Sequence, residues 1–170
     1  MVEDITPRKK AGHDLVQSEL KYKELADALP TAIFETDLDG NLVFANRTAY
    51  DWFGYAAEDF RAGLKVTEFL AEEERDKAGS NFQRVLTAGE ASTGEYMARR
   101  KDGTTFPVLI TARTMMRNDR PAGLLGTVMD IADRKRAEAT LRQSEEYFRS
   151  LIEKASDMIT VMDADATVRY

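Results

Sequence analysis

The sequence predicts an α+β domain, and three observations carry that reading. Strand-like and helix-like patterns follow one another as strand, strand, helices, strand, strand, strand. Short polar turns containing Gly, Asn or Asp separate the strands. Nearly the same text stands at both ends of the pattern and frames a unit of about 100 residues.

The framing text is "DITPRKKAGHDLVQSELKY" from Asp4 and "DIADRKRAEATLRQSEEYF" from Asp130, aligned without a gap at an offset of 126 residues. A period that long is one small domain plus its connector, not a solenoid repeat of about 20–50 residues. The sequence therefore divides into a tail of a preceding unit (1–7), a linker helix (8–30), a domain (31–133), a second linker helix (134–156) and a truncated start of a following domain (157–170).

Residues 8–29 carry Ala11, Leu15, Ser18, Tyr22, Leu25 and Leu29, spaced alternately by four and three as in a coiled-coil seam. Pro30 is expected to end that helix. "AIFETD" and "NLVFAN" read as strands joined at Leu38-Asp39-Gly40, a hairpin signal. Asn46 suits the cap of a helix "RTAYDWF" closed by Gly54. Short helical pieces around "AAEDF" and "VTEFL" precede a longer helix from about Ala71 to Thr87. That helix has Ala78, Phe82, Val85 and Leu86 on one face and Gly89 just beyond its end. The acidic run Glu72-Glu73-Glu74 suits a helix start. "GEYMARR", "TTFPVLITARTMM" and "GLLGTVMDI" read as antiparallel strands with turns at Lys101-Asp102-Gly103 and Asn118 to Pro121. The second linker repeats the first seam as Ala137, Leu141, Ser144, Phe148, Leu151 and Ala155.

Alternation puts Phe106, Val108 and Ile110 on one face and Pro107, Leu109, Thr111 and Arg113 on the other. It likewise opposes Leu124, Gly126 and Val128 to Leu125, Thr127 and Met129. Both faces are partly apolar, so the face away from the helices needs cover. The expected cover is the first linker helix, through Leu15, Tyr22, Leu25 and Leu29, or the same region of a second subunit.

Composition excludes several classes. The chain has no cysteine, one histidine (His13) and a net charge of −6. Disulfides, thiolate catalysis and thiolate metal sites are out, and a reducing compartment is compatible. Arg8-Lys9-Lys10 and Arg134-Lys135-Arg136 stand beside acids at helix starts and read as solvated helix faces, so no nucleic-acid partner is expected. No apolar run is long enough to insert in a membrane and no signal segment opens the chain, so the expected location is cytoplasmic. There is no glycine-rich phosphate loop, no metal-spaced histidine pair and no nucleophile with a histidine partner, so catalysis is not expected within this segment.

Asp37-Leu-Asp-Gly40, Asn46, Gly54-Tyr55 with Glu58, "RRKDGTTFPV", "DIADRKRAE" and "LRQSEEYFRSLIE" together resemble PAS domains with their PAC tail, found in multi-domain bacterial and archaeal sensor proteins. The resemblance implies a five-stranded antiparallel sheet with helices over one face, a small cavity between them and amphipathic linker helices on either side. It implies a sensory or relay module of a signalling protein, foremost a sensor histidine kinase. A diguanylate cyclase input or a ligand-free dimerisation module is the alternative. Expected partners are a second copy and the other domains of the same chain. The family pattern has Thr or Ser after Asp-Ile; Thr6 keeps it, but Ala132 does not, so Asp130 or Asp133 must cap the second helix.

The expected pocket set is Phe34, Phe44, Asn46, Trp52, Phe53, Phe82, Leu86, Tyr96, Ile110, Leu124 and Gly126. In haem-binding relatives the iron ligand sits on the long helix, whereas His13 lies on a linker, which argues against haem. Without cysteine, neither a flavin–thiol adduct nor a thioester-linked chromophore can form. Non-covalent flavin stays open, with Phe34, Phe44, Trp52, Phe53 and Tyr96 as the aromatic walls; the other reading is that these rings simply fill the core. Asp130 and Arg134, four residues apart at the strand-to-helix exit, form the expected coupling pair, with Asp4 and Arg8 as its first copy. Leu15, Ser18, Tyr22, Leu25, Leu141, Ser144, Phe148 and Leu151 form the expected dimer stripe.

Overall fold

The computed structural model describes residues 6–56, 58–59 and 63–154, with side chains from Gln17 to Glu153. The chain divides into two compact units, residues 1–131 and 132–170. In the first, helix α1 (Thr6–Asp27) leads into strands β1 (Ala32–Thr36) and β2 (Leu42–Ala45), helix α2 (Arg47–Phe53), two 3₁₀ turns and helix α3 (Arg75–Ala88). Strands β3 (Ser92–Arg99), β4 (Thr105–Arg117) and β5 (Arg120–Asp130) complete it. The second unit holds helix α4 (Ala132–Lys154).

The five strands form one antiparallel sheet in the order β2-β1-β5-β4-β3. The β1–β2 turn is built by Asp37, whose Oδ1 accepts from the N–H groups of Asp39 and Asn41 at 2.9 Å each, while its Oδ2 accepts from Asn41 Nδ2 at 2.8 Å. Gly40 sits there at φ 81°, a conformation that suits glycine. The β4–β5 turn is tighter than the four polar residues suggest. Arg117 pairs with Arg120, and only Asn118 and Asp119 turn, at φ 49° and 59°. Asn and Asp tolerate that left-handed geometry better than other side-chain-bearing residues.

Helix α3 starts later than the pattern indicates. Leu70 bridges to Ala98, and Ala71 N donates to Met97 O at 2.8 Å, so the chain is still extended there. The three glutamates then form a 3₁₀ turn before α3, and Gly89 closes the helix at φ 71°.

Helix α1 reaches the outer sheet face through Tyr22 and not through Leu25 and Leu29. Leu25 and Leu29 are 60% and 48% exposed, while Ala26 is 4% exposed. The residues that dock are Ala26 and, one turn earlier, Tyr22. Tyr22 donates to Glu35 Oε1 at 2.9 Å and lies 5.6 Å from the Phe44 ring. Alanine permits the close approach that leucine would block. The side chain of Leu15 lies outside the described residues. Met129, on the outer face, is 52% exposed.

Candidate functional site

The core lies between the sheet and the helices α2 and α3. Its shape follows from one row of inward-facing residues. Ala45, Phe34, Gly126, Ala112 and Ser92 are consecutive partners across β2, β1, β5, β4 and β3. One large ring stands among four small neighbours, and small neighbours leave space. A Cβ on Gly126 would fall 2.3 Å from Phe34 Cζ, so the ring is seated directly over the glycine.

Two apolar voids result. The first, about 40 Å³, is lined by Phe34, Leu42, Ala45, Ala49, Phe53, Val66, Phe69 and Val128 among others. The second, about 60 Å³, is lined by Phe34, Phe82, Val85, Tyr96, Ile110 and Leu124 among others. Phe34, Val66, Leu70 and Ile110 line both. A cavity that takes benzene measures about 150 Å³, so neither void admits the three fused rings of a flavin with the side chains packed in this way.

Of the residues the sequence assigns to the pocket, Phe34, Phe53, Phe82, Tyr96, Ile110 and Leu124 line these voids. Gly126 shapes them from beneath. Leu86 packs beside Val85 and Leu124 without lining either void, and half-buried Trp52 packs against the core cluster from its edge.

Phe44 needs correction: it lies on the opposite face of the sheet, paired with Glu35 and beside Tyr22. The cause is an irregularity in the register. Leu42 pairs with inward Thr36, but Phe44 pairs with outward Glu35, so Val43 is the extra residue. One extra residue reverses the faces beyond it.

Asn46 is also not a lining residue. Its side chain is a joint. Oδ1 accepts from Ile33 N at 2.9 Å and from Ala49 N at 3.1 Å. Nδ2 donates to Ala26 O at 2.7 Å and Thr31 O at 2.9 Å. The amide thus caps α2, as the sequence predicts, and also ties α2 to β1 and to the end of α1. Asp27 Oδ1 reinforces the tie by accepting from Arg47 N at 2.6 Å, as does Thr48 Oγ1 donating to Leu29 O at 2.8 Å.

Sequence reasoning missed Val66, Phe69, Ala49, Asn81 and Ser92 as site residues. The available signal was the row of small inward residues, which marks where space must remain. At the other end of the domain, Asp130 ends β5 and Ile131 N donates to Pro107 O at 3.1 Å. Within α4, Arg134 Nη1 donates to Glu138 Oε1 at 3.0 Å, and Arg136 pairs with Asp133. Asp4 and the side chain of Arg8 lie outside the described residues. Leu141, Phe148 and Leu151 are 62%, 60% and 45% exposed on α4, and Ser144 is exposed with them.

Among the described residues no cluster of His, Cys, Asp and Glu could hold a metal ion, and no helix is long and apolar enough to cross a membrane.

The model of a family described as "PAS domain" matches residues 30–133. Sporulation kinase A of Bacillus subtilis (strain 168) is 27% identical over 141 residues, which are 83% of this chain and 23% of that protein. Sensor histidine kinase TmoS of Ectopseudomonas mendocina is 27% identical over 136 residues, 78% of this chain and 14% of that protein. The chain thus spans about a quarter or less of the length of these two relatives. The crystal structure of the PAS domain of a protein from Colwellia psychrerythraea superposes with a TM-score of 0.61 at 22% identity, covering 70% of this chain and 98% of that one.

Proposed function

The chain belongs to the PAS domain family, and from that premise we propose that it is the sensory relay module of a longer, cytoplasmic sensor histidine kinase. A change in the cavity or at the α1 joint alters how α4 leaves the sheet, and an output domain elsewhere in the chain reads that change. The segment performs no chemistry of its own; its partners are a second copy and the other domains of its chain. The kinship with two kinases supports the output. The observation that carries the reading is one of construction. The voids are lined by β1, β4 and β5, and β5 ends at Asp130, two residues before the 23-residue helix α4 begins.

The coupling pair belongs to the same proposal. Asp130 and Arg134 are four residues apart in the sequence, and a guanidinium has five N–H donors, enough to hold Glu138 and a second carboxylate. As an exposed ion pair it contributes about 0–1 kcal/mol, and its role is to set the exit angle. The test is to measure kinase output with and without stimulus in the full-length protein, for Asp130→Ala, Arg134→Ala and the swap Asp130→Arg/Arg134→Asp. The expected result is that the single variants lose the response and the swap partly restores it. Single variants that respond like the parent would remove the pair from the mechanism.

A further inference from the structure

Tyr96 separates two environments. On one side lies the second apolar void. On the other, a groove between α3 and β3 opens to solvent and is lined by Lys77, Arg84 and Thr93 among others. Asn81, Ser92 and Tyr96 belong to both linings. The partition between void and groove is therefore a few side chains thick.

That partition is held by hydrogen bonds as well as by the packing of the Tyr96 ring in the core. Asn81 Nδ2 donates to the Tyr96 hydroxyl at 3.3 Å, and Ser92 Oγ bonds Asn81 Oδ1 at 3.1 Å. Arg84 Nη2 donates to Asn81 Oδ1 at 2.5 Å and to Ser92 Oγ at 3.1 Å. The Asn81–Tyr96 bond is at the long end of the normal range, where such bonds are weak. Gly94 makes the arrangement possible: a Cβ there would come within 3.0 Å of Tyr96 Cε2, so the ring can lie back over the strand and bring its hydroxyl to Asn81.

The donors at this partition exceed its acceptors. The bonds of Arg84 go to neutral oxygens. The Tyr96 hydroxyl accepts from Asn81 and keeps its own proton to donate. Lys77 sits 4.5 Å over the Tyr96 ring, bonded to Glu74 Oε2 at 3.0 Å and to Glu95 O at 3.1 Å. Among the described residues no carboxylate lines the groove, although the chain carries 30 acids against 24 bases.

We infer that this partition is the mouth of a binding site for a small aliphatic monocarboxylate. The carboxylate replaces the neutral partners of Arg84 and accepts from the Tyr96 hydroxyl, and the hydrocarbon tail enters the void beside Phe82, Val85 and Leu124. A guanidinium suits a carboxylate because its parallel N–H groups match the two oxygens. The void of about 60 Å³ exceeds the ~10–15 Å³ that one water needs and falls short of the ~150 Å³ that takes a benzene ring. The tail is therefore a chain of a few carbons and not an aromatic ring. This inference rests on the sensory reading above and names the ligand class for it.

The test uses the 170-residue chain with butyrate, its neutral analogue butyramide, and benzoate, read by amide chemical shifts and unfolding temperature. Butyrate is expected to shift residues 81–96 saturably and to stabilise the fold. Butyramide binds about tenfold or more weakly, because it loses the charge-assisted bonds, and benzoate does not enter. Arg84→Gln weakens butyrate by a similar factor, read against the ligand-free unfolding temperature of the same variant; Arg84→Lys restores part of the affinity. Equal binding of butyrate and butyramide, undiminished butyrate binding in Arg84→Gln, or no saturable shift with butyrate overturns the inference. Xenon separates this failure from a failure of the sensory reading. If xenon fills the void and butyrate does not bind, only the carboxylate assignment falls. If Ala112→Val, which reduces the void, leaves the stimulus response of the full-length kinase unchanged, the sensory role of the cavity falls instead.

Discussion

Asn46 uses both acceptor sites and both donor hydrogens of its amide, and its side chain is fully buried. Removing it takes away four hydrogen bonds at once, although the Ala49 N–H keeps its bond to the Asn46 carbonyl and the Ala26 carbonyl keeps the Leu29 N–H. Asn46→Ala is therefore expected to cost about 3 kcal/mol in urea unfolding. Asn46→Asp should cost more, because a carboxylate cannot donate and would face the carbonyls of Ala26 and Thr31. An aspartate variant as stable as the parent would show that the joint is not built on donation. Asp37 makes a prediction about pH. The Asn41 side-chain amide, helped by the backbone N–H groups of Asn41 and Asp39, holds its carboxyl below the usual carboxylate range. A folded pKa below the unfolded value means that the stabilisation is present above the unfolded pKa of ~3.9. It is lost as pH falls through the folded value. The side-chain amide resonance of Asn41 should move in that acid range and be insensitive to it in Asp37→Asn.

Helix α1 shows what the sequence conceals at the level of an element. Its heptad stripe was legible, but of the stripe residues Tyr22 docks while Leu25 and Leu29 stay exposed. Docking is decided by Ala26, small enough for Asn46 to reach the helix carbonyl, and nothing in a hydrophobic pattern signals that. Strand positions were legible because alternation and turn residues are local. The face of Phe44 was not, because it depends on a pairing irregularity with β1. The exposed stripe of α4, with Leu141, Phe148 and Leu151, is expected to associate two copies modestly, since it runs for fewer than about four heptads. Ser144 falls at a seam position, where a polar residue weakens packing. Ser144→Leu should tighten self-association in analytical ultracentrifugation by about a hundredfold or more if it buries one leucine side chain per subunit, two in the dimer. An unchanged sedimentation profile would mean that the stripe has another partner.

For the molecule as a whole, sheet order sets the pattern of stability. β5 lies at the centre with ladders to both β1 and β4, whereas β2 is a four-residue edge strand. Native-state hydrogen exchange should therefore be slowest at the middle of β4 and β5 and fastest at β2. Protection of β2 equal to that of β5 would point to a partner covering that edge. At this scale the α+β class and the repeated framing text were legible, because both are carried by element order and by sequence identity. The void volumes were not, because they depend on how Phe34 and its small neighbours pack in three dimensions.

Phe34 and Gly126 act as a calibrated pair. The ring stands between the two voids, and the missing methyl beneath it is what lets it stand there. A smaller residue at 34 would merge two compartments into one chamber, and a side chain at 126 would then find room. Exchanging bulk between these two facing positions would thus retune the volume of the cavity, with the joint at α1 and the exit at β5 left untouched.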